Sequence, residues 1–194
     1  YWRLSDDWKW QIRHYLNTQQ VPPPRGSTLR VSRHANARFL LDSPIEAVQV
    51  QADGHFQVTT PTAQLAYDFI VFATGFRSNL ALRPEFAPFA AHIKPWSDRY
   101  PMPAGQVDGE LAQLPDLGPL FEFQQRTPGA CPGLERVHCF CYPAALSHGT
   151  VSGDIPAISD GARRLATGLA SLFYREDVDY HFGVLQAYAE PELL

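Results

Sequence analysis

This chain has few cysteines, modest charge and no long apolar run. Three cysteines in 194 residues are too few, and of the wrong parity, for a disulfide scaffold. Charged residues make up 19% and the net charge is −4, with a pI near 5.9. A nucleic-acid binder needs a basic face, so no nucleic-acid partner is expected. No apolar stretch approaches the roughly 20 residues of a membrane helix, and no basic-then-apolar leader is present. The expectation is therefore no membrane partner and a cytoplasmic location. Nucleophile elbow, His-Glu-x-x-His and phosphate-loop motifs are all missing, which leaves little room for hydrolase, zinc-protease or nucleotide-triphosphatase chemistry. No Gly-x-Gly-x-x-Gly occurs either.

What is present is a chain with 45% hydrophobic residues, enough to bury a core. Its most informative stretch is Asp68-Phe69-Ile70-Val71-Phe72-Ala73-Thr74-Gly75-Phe76. A short run of bulky apolar residues fits a strand buried on both faces of a parallel sheet. The small Ala73-Thr74-Gly75 corner after it lets a backbone or a flat ligand come close. In open α/β sheets ligands bind at the carboxyl ends of strands, where this corner would lie.

Ahead of it, Ser5-Asp6-Asp7 followed by Trp8, Ile12, Tyr15 and Leu16 reads as a capped amphipathic helix. Val21-Pro22-Pro23-Pro24 ends it as a stiff connector. Asn36 to Leu41 read as a short strand. Ile45 to Val50, a turn at Asp53-Gly54, alternating Phe56, Val58 and Thr60, and then Gln64 to Tyr67 form an antiparallel meander.

Nine prolines interrupt residues 81–133, so regular structure should be sparse there apart from one helical turn within 115–121. Such a long irregular connection covers a site or joins domains, and His92, Trp96, Asp98, Arg99 and Tyr100 are candidates to line a substrate cavity. Val137 to Tyr142 read as a last strand. Cys139 and Cys141, two apart, share one face of it and are expected to be buried, inert thiols. No metal site is expected.

After His148-Gly149 comes Gly153-Asp154-Ile155-Pro156. Asp154 is placed to cap a helix and Pro156 to occupy its first turn, leaving free N–H groups and a positive dipole end. Ile158, Ala162, Leu165, Leu169, Leu172 and Phe173 mark one face of that helix. Gly161 and Gly168 would let its axis approach the sheet. His148 is a candidate acid/base near neutral pH.

Asp68, Phe72, Ala73, Thr74, Gly75 and Phe76 together resemble the mark near the end of the NAD(P) domain in two-dinucleotide-binding flavoproteins, above all the flavin-containing and N-hydroxylating monooxygenases. The meander before the corner and Gly153-Asp154 after the last strand follow the same order. The resemblance implies an α/β fold, a partial Rossmann-like FAD/NAD(P)-binding fold with an inserted antiparallel β-meander. It divides the chain into 1–80, the end of the NAD(P) domain with the meander; 81–133, a proline-rich crossover; and 134–194, the end of the FAD domain.

It also implies cofactor contacts from Ala73, Thr74, Gly75, Phe76, His148, Gly153, Asp154, Ile155 and Pro156, with Asp154 bonding the FAD ribityl or pyrophosphate region. No catalytic residue is assigned. The cofactors implied are FAD and NADP (or NAD). The reaction implied is oxygen transfer to a small-molecule amine or sulfide. Because the family carries two glycine-rich loops, the chain is expected to be a C-terminal piece lacking the N-terminal half of the same polypeptide, inactive alone. A flavin reductase or dehydrogenase without oxygen insertion, and a non-catalytic binding domain on a degenerate flavoprotein fold, stay open as alternatives.

Overall fold

The structure, a computed structural model, describes residues 1–20 and 23–190. Val21 and Pro22 of the proline connector lie outside the described residues. The chain forms two compact units, Val21–Phe76 and, from two separate stretches, Tyr1–Gln20 with Arg77–Leu194. This division differs from the expected boundaries at residues 80 and 133: the N-terminal helix belongs with the later part of the chain and not with the meander.

The smaller unit contains helix α2 (Arg25–Ser32) and a meander of strands β1 (Ala47–Val50), β2 (Phe56–Thr59) and β3 (Gln64–Tyr67), in sheet order β1-β2-β3. Alternating side chains set an antiparallel register with Val50 opposite Phe56 and Val58 opposite Leu65. The first turn closes with Gly54 at φ +88° and its N–H donating to the Gln51 carbonyl at 3.0 Å. At the second, Thr60 bonds Ala63 through both main chain and hydroxyl. Helix α2 was not anticipated. Pro24 precedes its first turn, where a missing N–H leaves no bond unmade.

Two expected strands of this unit do not form. Residues 36–41 carry no ladder. Phe69–Phe72 is not a buried parallel strand: Phe69 and Val71 are each 87% exposed and Phe72 67%. A central strand must pair its N–H and C=O groups on both edges, and among the described residues the meander strands pair only with one another. The run instead borders an apolar groove of about 320 Å³ with Leu40, Ile45, Val58 and Leu65.

In the larger unit, α1 (Asp6–Gln19) starts after Ser5 with Asp6 and Asp7 in its first turn, though the Ser5 side chain makes no capping bond. Its inward face is not the expected one. Lys9, Trp10 and Arg13 are buried, while Trp8, Tyr15 and Leu16 are exposed. Trp10 packs with Trp96, Leu111, Leu114 and Leu146, and its indole N–H donates to the Gln106 carbonyl at 3.0 Å. The polar neighbours on that face find distant partners: Asp6 takes Arg99, and Asn17 donates to Asp108 at 3.2 Å.

Residues 81–133 are irregular, as the prolines require. Isolated bridges such as Pro95–Pro115 and Leu117–Phe123 replace ladders. The helical turn lies at α3 (Gly109–Gln113), ahead of its expected place at 115–121, because the Asp108 carboxylate accepts from the N–H groups of Glu110 and Leu111 at 3.0 Å. The strand expected at 137–142 reduces to one bridge, Glu122–His138. Its N–H and C=O groups alternate to Phe121 and Phe123 for only one step before Pro143 turns the chain.

Three helices end the described chain: α4 (Ala145–His148), α5 (Ile158–Glu176) and α6 (Val178–Ala187). On α5 the buried residue is Gly161. A Cβ there would overlap the Val151 carbonyl, and one at Gly168 would meet the Leu120 side chain. These glycines thus admit a loop and a leucine, not a sheet. Gly161→Ala is expected to destabilise by about 1–3 kcal/mol, because displaced backbone outweighs the gain of roughly 1 kcal/mol in helix propensity. Urea midpoints check this, and an unchanged or raised midpoint would refute it. No helix among the described residues is long and apolar enough to cross a membrane.

Candidate functional site

His148, at the end of α4, is a sequence candidate that the fold buries among polar groups. It is 3% exposed. Its Nε2 lies 3.0 Å from the Gly118 carbonyl and its Nδ1 2.8 Å from Arg164 Nη2 on α5. A carbonyl can only accept and a guanidinium can only donate, so the ring is neutral with its proton on Nε2. Phe121 packs on the imidazole with ring centroids 4.1 Å apart. Burial, and then the Arg164 charge, hold its pKa down to about 4 from the usual 6.5, against the opposing pull of the Gly118 carbonyl. His148 is therefore not an acid/base near neutral pH; it is a fixed neutral strut.

Beside it is a cavity of about 320 Å³ bordered by Trp2, Lys9, Arg99, Asp116, Ser147 and His148. Asp116 is nearly fully buried and accepts from Arg99 Nη1 at 2.7 Å and Lys94 Nζ at 3.4 Å. Arg99 also grips Asp6 through Nε and Nη2, at 2.8 and 3.0 Å. These bonds, Asp6 first, raise the Arg99 pKa further. Lys9 differs. It is 7% exposed, and among the described residues no carboxylate lies within salt-bridge distance of it. Burial lowers its pKa more than Asp6 raises it.

The cavity floor is held by Ser147, whose hydroxyl accepts from the Trp96 indole at 2.9 Å and from the Leu117 N–H at 3.3 Å, and donates to the Pro115 carbonyl. Arg164 lies over the Trp2 and Phe121 rings, 5.1 and 4.6 Å from their centroids. The lining offers an aromatic wall and an excess of positive charge.

Of the five expected cavity residues, Arg99 lines this space and Trp96 supports it. Asp98 instead pairs with Arg126 at 2.7 Å, and Tyr100 donates to Asp7 at 2.5 Å. Lys9, Asp116 and Arg164 were not anticipated. A lysine, an aspartate and an arginine at these spacings carry no local signal, since what joins them is tertiary.

Gly153, Asp154, Ile155 and Pro156 are exposed in the same unit, but they do not cap α5 as expected. The helix begins at Ile158, two residues beyond Pro156. Preceding turns already engage the N–H groups of Ile158, Ser159, Asp160 and Gly161, with Ile158 donating to the Asp154 carbonyl at 2.7 Å. The peptide before Pro156 is cis. Ala73, Thr74, Gly75 and Phe76 belong to the smaller unit. All four are exposed, and Gly75 sits at φ +88° with no atom within 4 Å of a Cβ placed on it. No group of three His, Cys, Asp or Glu residues that could hold a metal occurs among the described residues.

Compared with known proteins, the chain is similar to the FAD-dependent urate hydroxylase of Xanthomonas campestris pv. campestris, with 31% identity over 188 residues. The match takes in 95% of this chain and 40% of that protein, so the chain spans about two fifths of its relative's length. No protein-family model and no solved structure matches the chain.

Proposed function

We propose that this chain is part of an FAD-dependent monooxygenase that hydroxylates a flat, anionic small molecule of the urate type, drawing reducing equivalents from NAD(P)H. The similarity to the urate hydroxylase supports the flavin part. The observation that carries the substrate part is Lys9, a largely buried side chain in no salt bridge among the described residues, bordering a cavity together with Trp2. A cation drawn partly out of water and left without an ion pair gains from an arriving anion. Arg99 adds a second donor, already oriented by Asp6 and Asp116.

When bound, FAD would supply the hydride acceptance and oxygen activation that no side chain here provides. The exposed Gly153–Pro156 corner is proposed to hold it. The first-turn N–H groups of α5 would take no part, being already engaged. In the smaller unit, the open Ala73–Phe76 corner is proposed to face a dinucleotide. The fold reading that goes with this proposal is the partial Rossmann-like one, in which Phe69–Phe72 pairs with strands contributed by a longer polypeptide.

The test is urate-dependent NAD(P)H oxidation and O₂ uptake by the full-length protein containing this chain. Lys9→Met is expected to raise the KM for urate about 10- to 100-fold, the worth of one charge-assisted bond, with FAD content unchanged. A purified protein that holds FAD but shows no urate-dependent turnover would sink the substrate reading. One that retains no FAD would sink the flavin reading.

A further inference from the structure

Cys139 and Cys141 place their sulfur atoms 3.6 Å apart. The intervening backbone is extended, so the two side chains leave the same face, and both ends are pinned. The Cys139 N–H donates to the Phe121 carbonyl at 2.8 Å, and the Cys141 carbonyl accepts from the Ser152 hydroxyl at 2.8 Å and the Ala144 N–H at 3.0 Å. Residues two apart on extended chain have Cα atoms about 6.6 Å apart, inside the span of roughly 4.4–6.8 Å that a disulfide bridges. Bond formation asks for side-chain rotation and, because the Cβ atoms of a disulfide stand only about 3.5–4.5 Å apart, for contraction of the main chain between the two cysteines.

The two thiols have different environments. Cys139 is 1% exposed in the core with Phe121 and Leu134, while Cys141 is half-buried at its rim. The two thiols share a hydrogen bond in which either can donate, and Arg83 adds positive charge nearby. Against burial and Glu85, these lower the Cys141 thiol to about 7. The same hydrogen bond, and then burial, push the Cys139 thiol up. Half-buried Cys141 is thus the more readily ionised thiol and buried Cys139 the less, the pairing of an attacking and a resolving cysteine.

We propose that Cys139 and Cys141 are a redox-active dithiol that closes to an intrachain disulfide on exposure to hydrogen peroxide. The Cys141 thiolate attacks peroxide; an S–O bond forms, the O–O bond breaks, and hydroxide leaves and takes a proton. Cys141 is then a sulfenic acid. The Cys139 sulfur attacks it, giving up its proton as the S–S bond forms and the S–O bond breaks, releasing water. In sum, two thiols and one peroxide give one disulfide and two waters, and a dithiol reductant reverses the change by exchange. Phe140, between the cysteines, packs edge-on to Phe121 at 5.0 Å, so the pair adjoins the ring that supports His148. None of this depends on the flavin reading.

The experiment treats the native full-length protein containing this chain with stoichiometric hydrogen peroxide, alkylates it, and determines the mass of the peptide carrying residues 139–141. The expected result is loss of two hydrogens from that peptide and protection of both its thiols, reversed by dithiothreitol, while Cys131 remains alkylatable. In Cys139→Ser, Cys141 should stop at the sulfenic acid and react with dimedone. In Cys141→Ser, oxidation of Cys139 should slow at least about tenfold, as a buried protonated thiol requires. In urea the preference for this pair over Cys131 should vanish. If the wild-type peptide keeps both thiols free while Cys131 oxidises, or if the disulfide formed includes Cys131 or joins two chains, the proposal is overturned, whatever the variants do.

Discussion

Phe121→Ala is expected to remove about 4 kcal/mol of stability, and Phe121→Gly about 1 kcal/mol less. The ring is fully buried and carries three separate contacts: His148 at 4.1 Å, Phe140 edge-on at 5.0 Å and the Arg164 guanidinium at 4.6 Å. Losing it opens a cavity at the centre of the larger core, for which the usual cost is about 3–5 kcal/mol. Ordinarily glycine would be the worse replacement, because it is the more disordered residue in the unfolded chain. Here φ is +68°, in the left-handed region that an alanine Cβ resists by about 1–2 kcal/mol. That strain exceeds the entropy difference, so the order inverts. Guanidinium midpoints of both variants measure it. A glycine variant less stable than the alanine variant would show that packing, and not backbone strain, governs the site.

Acidification is the second large effect. Unfolding frees the His148 imidazole to titrate near 6.5, while in the fold it resists protonation down to about 4. The neutral form is the one the fold holds, so the stabilisation is complete above the unfolded value. It declines as pH falls from about 6.5 and is gone below about 4, a total on the order of 3 kcal/mol. Protonation would place a second cation against Arg164 and leave its Nη2–H without an acceptor. His148→Gln keeps a neutral acceptor that does not titrate. Stability of wild type and variant, measured by urea denaturation at steps from pH 7 to 4, should converge as the pH falls. Parallel curves through this range would mean that His148 does not carry the acid sensitivity.

What the linear chain discloses follows from how local each determinant is. The meander is legible because alternation and an Asp-Gly turn are settled within a few residues. The ends of α1 are legible for the same reason, but its inward face is not. Trp8, Ile12, Tyr15 and Leu16 form the more apolar stripe, yet the fold turns Lys9, Trp10 and Arg13 inward. Their partners, among them Trp96 and Leu146, come from far along the chain. The Phe69–Phe72 run has a strand's composition, but a strand is a relation between segments, and none of the described ones pairs with it.

At the site, His148 was visible as a histidine before a glycine. Its role was not, because the Gly118 carbonyl lies thirty residues upstream and Arg164 sixteen downstream. Asp154 shows the opposite failure: a plausible local cap was displaced when the turn through Pro156 carried the helix start on to Ile158.

The split of the larger unit has a consequence for the order of events at the ribosome. The Tyr1 hydroxyl donates to the Leu146 carbonyl, 145 residues away, and the Trp10 indole to Gln106, 96 away. Helix α1 therefore leaves the exit tunnel long before Gln106 and Leu146 are made. The meander, with contacts closed within some twenty residues, can form while α1 waits, its tryptophans exposed to chaperones. Long-range closure of this kind makes for slow folding. Helix α1 is thus made before the residues that hold it and docks after them.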